Sequence, residues 1–422
     1  MRKINFIEEN LSNGLHVIYH QEHTQPIISV SVLYHVGSKD EPVNKTGLAH
    51  FFEHLMFEGS KNLKQGEYFK YIASNGGYNN AYTNHDETCY YGTLPSSKLP
   101  LILWLESERM FYSNVDKKCL DIQKKIVKEE KKSRTENHPY VESMTEIIPS
   151  LLFQTHPYKY PIIGLSKDLD DIKEEDYNEF YHKYYIPNNA ILSISGDFNL
   201  LEAKNLVKKY FLSSSEKKNK KLEKRKIFVE KPIEKEIFYQ FIDKNSKIPA
   251  VFFSYRFPNV TSKDAYIMRI IDDIFSSGKS SPFKKSIVNV KQVAAYAGSF
   301  LESMEDYGLF VLYAILNTGV HLENLCEAMD EEIDLFKEQG ITSYELTKQQ
   351  NLFEKYFTFE NYYIGGISSN LNYYATYYKN ANLINEEIDT YRKVSQKEIQ
   401  EVANKYLNKN NRVRLYNLPE DY

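Results

Sequence analysis

Residues 213–226 read SSSEKKNKKLEKRK, a polar, Lys-rich stretch with one aliphatic residue, close to the midpoint of a 422-residue chain. A segment of this kind has too little apolar surface to pack and reads as a solvated linker. At this length a single core has usually stopped growing, so a chain divided at its middle is expected to fold as two domains. The pattern before the linker begins again after it. Strands are expected at Leu15–Tyr19, behind the turn pair Asn13-Gly14, at Ile28–Tyr34, where apolar and polar residues largely alternate, and at Ala190–Ser195. In the second half they are expected near Ile237–Phe241, Val251–Arg256, Ala294–Phe300, Leu309–Leu316 and Arg412–Tyr416, with a helix from Ser262 to Phe275 and two more helices before the last strand. Two halves of roughly 200 residues with the same mixture point to a tandem duplication of one α+β unit. The expected organisation is a first domain over 1–212, a charged linker over 213–228 and a second domain over 229–422.

Within the first half, a helix is expected from about Thr46, as N-cap, through LAHFFEHLMF to a stop at Gly59. It carries His50-Phe51-Phe52-Glu53-His54. Helical residues four apart lie on one face, one turn from each other, so the two imidazoles can hold one Zn²⁺. Neutral imidazole binds zinc well without cancelling its charge. Glu53 borders the same face, where a carboxylate can accept a proton from a metal-bound water and return it to a leaving amine. In a chain with this much His and Glu the string arises by chance on the order of a few per cent of the time. Chance is weakened by the helix itself, which is otherwise apolar at Leu48, Phe51, Phe52, Leu55 and Met56, so that polar residues without partners would be costly there.

A catalytic zinc site takes three protein ligands and leaves one position open. The helix that follows Asp116 supplies IQKKIVKEEKK and two candidates for the third ligand, Glu129 and Glu130. Glu130 follows Ile126 and Val127 by one turn and Gln123 by two, on the inward face, and is preferred on periodicity.

HxxEH is the inverted zinc motif, and the text around it resembles the pitrilysin, insulysin and mitochondrial processing peptidase family, with the best match to its roughly 420-residue bacterial members. The resemblance is carried by GLAHFFEHLMFEGS, GGYNNAYTNHDETCYY, LWLESERM, IVKEEKKSRTENHPY, YPIIGLSKDLDDI and YYIPNNAILSISGDF, in that order, over about residues 10–200. A weaker echo continues in GKSSPFKKSIV and YGLFVLYA. The resemblance implies an α+β fold of two homologous domains, each a mainly antiparallel sheet backed by helices, in chains that pair to enclose a chamber for unfolded peptides. It implies a zinc endopeptidase with His50, His54 and Glu130 as ligands and Glu53 as the general base. The eighty-residue separation from His50 also selects Glu130. Asn80 and Ala81 would lie on an edge strand that pairs with the substrate backbone, a mode needing little side-chain specificity.

Two departures stand out. Where family members often carry a second Glu seven residues before the ligand, this chain has Gln123. In the second half, the family's Arg and Tyr that reach the substrate carbonyl would fall on Val288 and Ala295, or one residue on, at Asn289 and Tyr296, and neither register supplies the arginine. The expected partner is therefore a homologous subunit bringing the Arg/Tyr pair in a heterodimer, with a homodimer as second choice. The class alternative is a non-catalytic subunit that binds peptides.

The remaining features favour ordinary readings. Net charge is −4, from 53 Lys+Arg against 57 Asp+Glu, which calls for neither nucleic acid nor an anionic membrane. The apolar stretches are too short to span a bilayer and MRKINFIEEN has no signal-peptide core, so a cytoplasmic protein is expected. Cys89, Cys119 and Cys326 form no CxxC pair and read as buried thiols. The 35 tyrosines read as packing residues, and His85 as a solvated loop histidine.

Overall fold

The computed structural model describes residues 2–212, 225–276, 278 and 281–422, so most of the expected linker lies outside the described residues. The chain forms two compact units that are not contiguous in sequence. One comprises Met1–Glu130, Tyr160–Ile227 and Tyr356–Glu387, and the other Lys131–Lys159, Phe228–Lys355 and Ile388–Tyr422.

The first unit contains strands β1 (Ile7–Asn10), β2 (His16–Gln21), β3 (Ile27–Tyr34), β4 (Tyr78–Thr83), β5 (Thr88–Pro95) and β6 (Ala190–Gly196), ordered β1-β2-β6-β3-β5-β4. Only β2 and β6 run parallel. The second has β7 (Ile237–Ile242), β8 (Ala250–Pro258), β9 (Ala294–Ser303), β10 (Tyr307–Leu316) and β11 (Arg412–Leu418), ordered β7-β11-β8-β10-β9. Here β7 and β11 are the parallel pair. If β1 is set aside, the two orders coincide strand for strand, parallel pair included, which is the topological signature of a duplicated unit. β1 escapes sequence reading because Glu8 and Glu9 break the alternation.

In the first unit four helices matter for the site: α1 (Leu48–Leu55), α2 (Glu67–Ser74), α3 (Leu99–Tyr112) and α4 (Lys117–Lys131). The core gathers Val17, Tyr19, Ile28, Val30, Val32 and Tyr34 from the sheet with Phe51, Phe52 and Leu55 of α1 and Ile102 and Leu103 of α3. The alternation in β3 predicts one wet face, yet Ser29, Ser31, Ser193 and Ser195 are all fully buried. The helix Ile364–Tyr373 covers them, packing on β3 and β6. Asn372 accepts from Ser193 Oγ at 2.6 Å and donates to Ser31 Oγ at 3.0 Å, so two of these four hydroxyls find a partner on the covering helix.

The second unit mirrors this use of a distant segment. Helix Ile148–Leu152 packs on β8 and β11, the counterparts of β3 and β6, and Ile148, Leu152, Phe153 and Tyr158 join Phe252, Leu309, Val311 and Leu415 in its core. Between residues 322 and 406 five α-helices form, Leu322–Gln339, Ser343–Glu360, Ile364–Tyr373, Glu387–Arg392 and Gln396–Tyr406, where two were expected. Gly340, with φ of +65°, ends the first of them.

Asp273, on the helix Lys263–Ser276, gives a stability prediction. Burial pushes its carboxyl up to about 6, helped by Asp272 and opposed by Arg269. A raised carboxyl favours the fold below its unfolded value, and that contribution is lost as pH rises through the folded value. Asp273→Asn is therefore expected to leave stability unchanged near pH 4 and to raise it above pH 6. With its partial exposure discounted, the gain is on the order of 1 kcal/mol. Denaturant melts at the two pH values test this, and equal differences at both would refute it.

Candidate metal centre

α1 begins at Gly47, not at Thr46. Gly47 sits at φ +86°, and a Cβ there would lie 2.5 Å from the Ile163 carbonyl oxygen, so only glycine fits. The cap comes from a residue outside the expected helix: Glu41 accepts from the Gly47 and Ala49 amides at 2.9 and 2.8 Å, satisfying two of the helix's unpaired donors. The Thr46 hydroxyl instead donates to Asp168 at 2.7 Å. The helix ends at Leu55, four residues before Gly59. Arg109 of α3 donates from Nε to the Met56 carbonyl just beyond that end, at 3.2 Å. Its guanidinium lies 4.6, 4.6 and 4.1 Å from the ring centres of Phe57, Tyr68 and Tyr90, and Glu106 pairs with it at 2.5 Å. Both ends of α1 are thus held by polar side chains from elsewhere in the unit.

The apolar face of α1 turns to the core, where Phe52 stacks on Tyr177 at 4.9 Å. His50, Glu53 and His54 occupy the other side, and their rings meet Glu130 of α4. His54 Nε2 is 3.2 Å from Glu130 Oε2, His50 Nε2 is 3.8 Å from Glu130 Oε1, and the two imidazole rings are 4.9 Å apart. Among the described residues these three are the one group of His, Cys, Asp or Glu side chains arranged to share a metal ion, with ligand atoms within 4.8 Å of one another. Two imidazoles and a carboxylate form the donor set of a catalytic zinc site. Bond lengths of about 2.0–2.1 Å place tetrahedral donors roughly 3.3 Å apart, close to the two spacings here. The donor set fits zinc.

α4 delivers Glu130 through Leu120, Gln123 and Val127, which are buried along one stripe. Glu129 is exposed, and so is Ile126, which periodicity had placed inward. The chain turns into a π-helical stretch over Lys132–Glu136 directly after α4. Gln123 takes its side-chain amide to a carboxylate outside the three ligands. It donates to Glu58 at 2.7 Å, and the same carboxylate accepts from Cys119 at 3.3 Å and from the Gln65 amide. Glu58 thus brings a carboxylate to the buried side of α4 where Gln123 supplies none. Burial, with the Glu58 carboxylate beside it, pushes the Cys119 thiol up to about 12, so it stays protonated and donates.

Among the described residues β4 is the free edge of its sheet, paired to β5 alone. Asn80 lies on its exposed face, its side-chain oxygen accepting from the Ala81 amide at 3.0 Å, while Asn79, Ala81 and Thr83 share the half-buried face. Thr83 Oγ1 donates to Glu53 Oε2 at 2.8 Å. Neither Thr83 nor Glu41 carries a motif signal; strand alternation places Thr83 on a face but does not say what that face meets. His85 differs from expectation more sharply. It is buried, with Nδ1 2.8 Å from Ser38 Oγ, beside a buried Lys39–Asp86 pair at 2.8 Å that fastens the β4–β5 turn. In the second unit, Val288, Asn289, Ala295 and Tyr296 line an open cavity of about 350 Å³ with Lys284 and Ala297. No arginine is among them, and the Lys284 ammonium lies 5.5 Å from the Tyr296 ring.

Residues 16–165 match the family model described as insulinase (peptidase family M16), and residues 171–353 match the one described as peptidase M16 inactive domain. The chain is 31% identical over 343 residues to the zinc protease PqqE of Helicobacter pylori, covering 80% of this chain and 76% of that one. It is 25% identical over 339 residues to the uncharacterized zinc protease YmxG of Bacillus subtilis, 79% of each chain. The crystal structure of a protease from Helicobacter pylori superposes with a TM-score of 0.91 at 26% identity, covering 99% of this chain and 100% of that one. Among the described residues no helix is long and apolar enough to cross a membrane.

Proposed function

The chain belongs to the insulinase (M16) family of peptidases, and from that membership we propose that it is a zinc endopeptidase hydrolysing peptide bonds of unfolded polypeptides. The observation that carries the proposal is the convergence of His50 and His54 with Glu130 from a second helix, with Glu53 beside them.

His50, His54 and Glu130 would hold Zn²⁺, which when bound polarises the scissile carbonyl and makes water acidic near neutral pH. Two neutral imidazoles and one carboxylate leave a single net positive charge to stabilise the oxyanion. Glu53 takes the proton from the attacking water and passes it to the leaving amine. The β4 edge, with Asn80 and Ala81, pairs with an extended substrate backbone. Strand addition demands an unfolded segment and little side-chain identity, which is why unfolded polypeptides are the proposed substrate class. Because no arginine is among the described residues that line the cavity at Tyr296, a homologous partner subunit supplies the Arg/Tyr pair in a heterodimer.

The test is cleavage of a long unstructured peptide by the purified chain, read by mass spectrometry with and without a chelator. Chelator-sensitive cuts, with a folded control protein left intact, are the expected result. A chain that binds one zinc yet cleaves only after a homologous subunit is added supports the heterodimer, and a homodimer as sole active species would overturn it. A folded chain that binds no zinc would sink the enzymatic reading in favour of a peptide-binding subunit.

A further inference from the structure

The β4 edge reaches the candidate centre through the Thr83 side chain. Thr83, the last residue of the strand, donates from Oγ1 to Glu53 Oε2 at 2.8 Å. Its next hydroxyl neighbour is Thr88 Oγ1, across the turn on β5, at 3.4 Å. Thr88 is fully buried and has committed its own proton to the Val36 carbonyl, 2.9 Å away. Thr88 therefore has only lone pairs to offer Thr83, and the Thr83 proton has two acceptors: the near Glu53 carboxylate and the more distant Thr88 oxygen.

We propose that Thr83 is a positioning residue for Glu53, its hydroxyl fixing the carboxylate in the orientation from which it takes a proton from water. The proposal rests on the reading of Glu53 as general base and extends it to a residue that no motif marks. A carboxylate with three rotatable bonds ahead of it has several accessible rotamers. Thr83 is suited to select one, because β-branching restricts its χ1 and its backbone is held in the β4–β5 ladder. The hydroxyl also serves both forms of the base. It donates to the carboxylate, and when Glu53 carries the proton it turns its own hydrogen to Thr88 and accepts from Glu53 instead. No proton is gained or lost by Thr83 in that exchange. The same strand is the one proposed to receive substrate, so the backbone that aligns the peptide and the side chain that aligns the base are one rigid element.

The experiment compares the full-length chain with Thr83→Val, Thr83→Ser and Glu53→Gln. Zinc content, kcat and KM on the unstructured peptide, and the infrared carboxylate band of the metal-free protein, assigned to Glu53 by difference against Glu53→Gln, are measured for each. Thr83→Val removes the donor at nearly constant volume. It is expected to lower kcat about 10- to 100-fold, as misplacement of a reacting group does, with KM and zinc content unchanged and the Glu53 band shifted. Thr83→Ser restores the hydroxyl, and with it kcat to within about threefold and the wild-type band position. If Thr83→Ser is as slow as Thr83→Val, restoring the hydroxyl does not restore the rate and the proposal is overturned. Wild-type kcat and band position in Thr83→Val overturn it as well, while full activity in Glu53→Gln would instead remove the reading of Glu53 on which it rests.

Discussion

Glu53→Gln is expected to reduce kcat on an unstructured peptide by at least the 10²–10⁴-fold typical of a lost general base, while the protein keeps one zinc per chain. The reason lies in the geometry around α1. Glu53 is not among the three converging ligand side chains, so replacing it removes no donor from the metal. Glutamine keeps the size of the side chain and can still accept from Thr83 at the position of Oε2. What it cannot do is take up a proton. The loss should therefore appear in kcat, with KM nearly unchanged, since substrate binding is assigned to β4. Retention of more than a tenth of the activity would mean that another group takes the proton.

The second large effect concerns the two adjacent glutamates of α4. Glu130→Gln is expected to weaken zinc binding by more than the 10–100-fold that loss of an outer partner costs, and to remove activity with it. Glu129→Gln should change neither. One side chain lies 3.2 Å from the His54 imidazole, and its neighbour in sequence, about 100° round the helix, is exposed. An amide oxygen is a weaker, uncharged donor, so excess zinc should restore part of the activity of Glu130→Gln. Competition with a chromogenic chelator measures the affinities. Equal weakening in both variants would place the third ligand elsewhere.

Much of the first unit was legible in the chain because it depends on local periodicity. Strands β2, β3 and β6 fall within a few residues of their expected ranges, and the pairing of His50 with His54 follows from helical pitch alone. Helix ends were less legible. Glu41 caps α1 from outside the helix, so the capping rule read from neighbouring residues chose Thr46. The inward face of α4 was half legible: Val127 and Gln123 are buried as periodicity requires, yet Ile126 is exposed, because the helix packs along a narrower stripe than its apolar residues suggest.

The sequence by itself determined what the backbone period controls: two halves of the same strand and helix order, a helix with two imidazoles on one side, and a glutamate beside them. Tertiary structure alone decided which residues far apart in the chain would meet. It brought Glu130 to the histidines, gave Glu53 the Thr83 hydroxyl, buried His85 against Ser38, and laid a helix from residues 364–373 over serines that alternation marked as wet. Alternation reports which residues share a face but carries no information about what covers it. A covering segment comes from distant sequence, and its own side chains pair part of what it buries, as Asn372 does for Ser31 and Ser193.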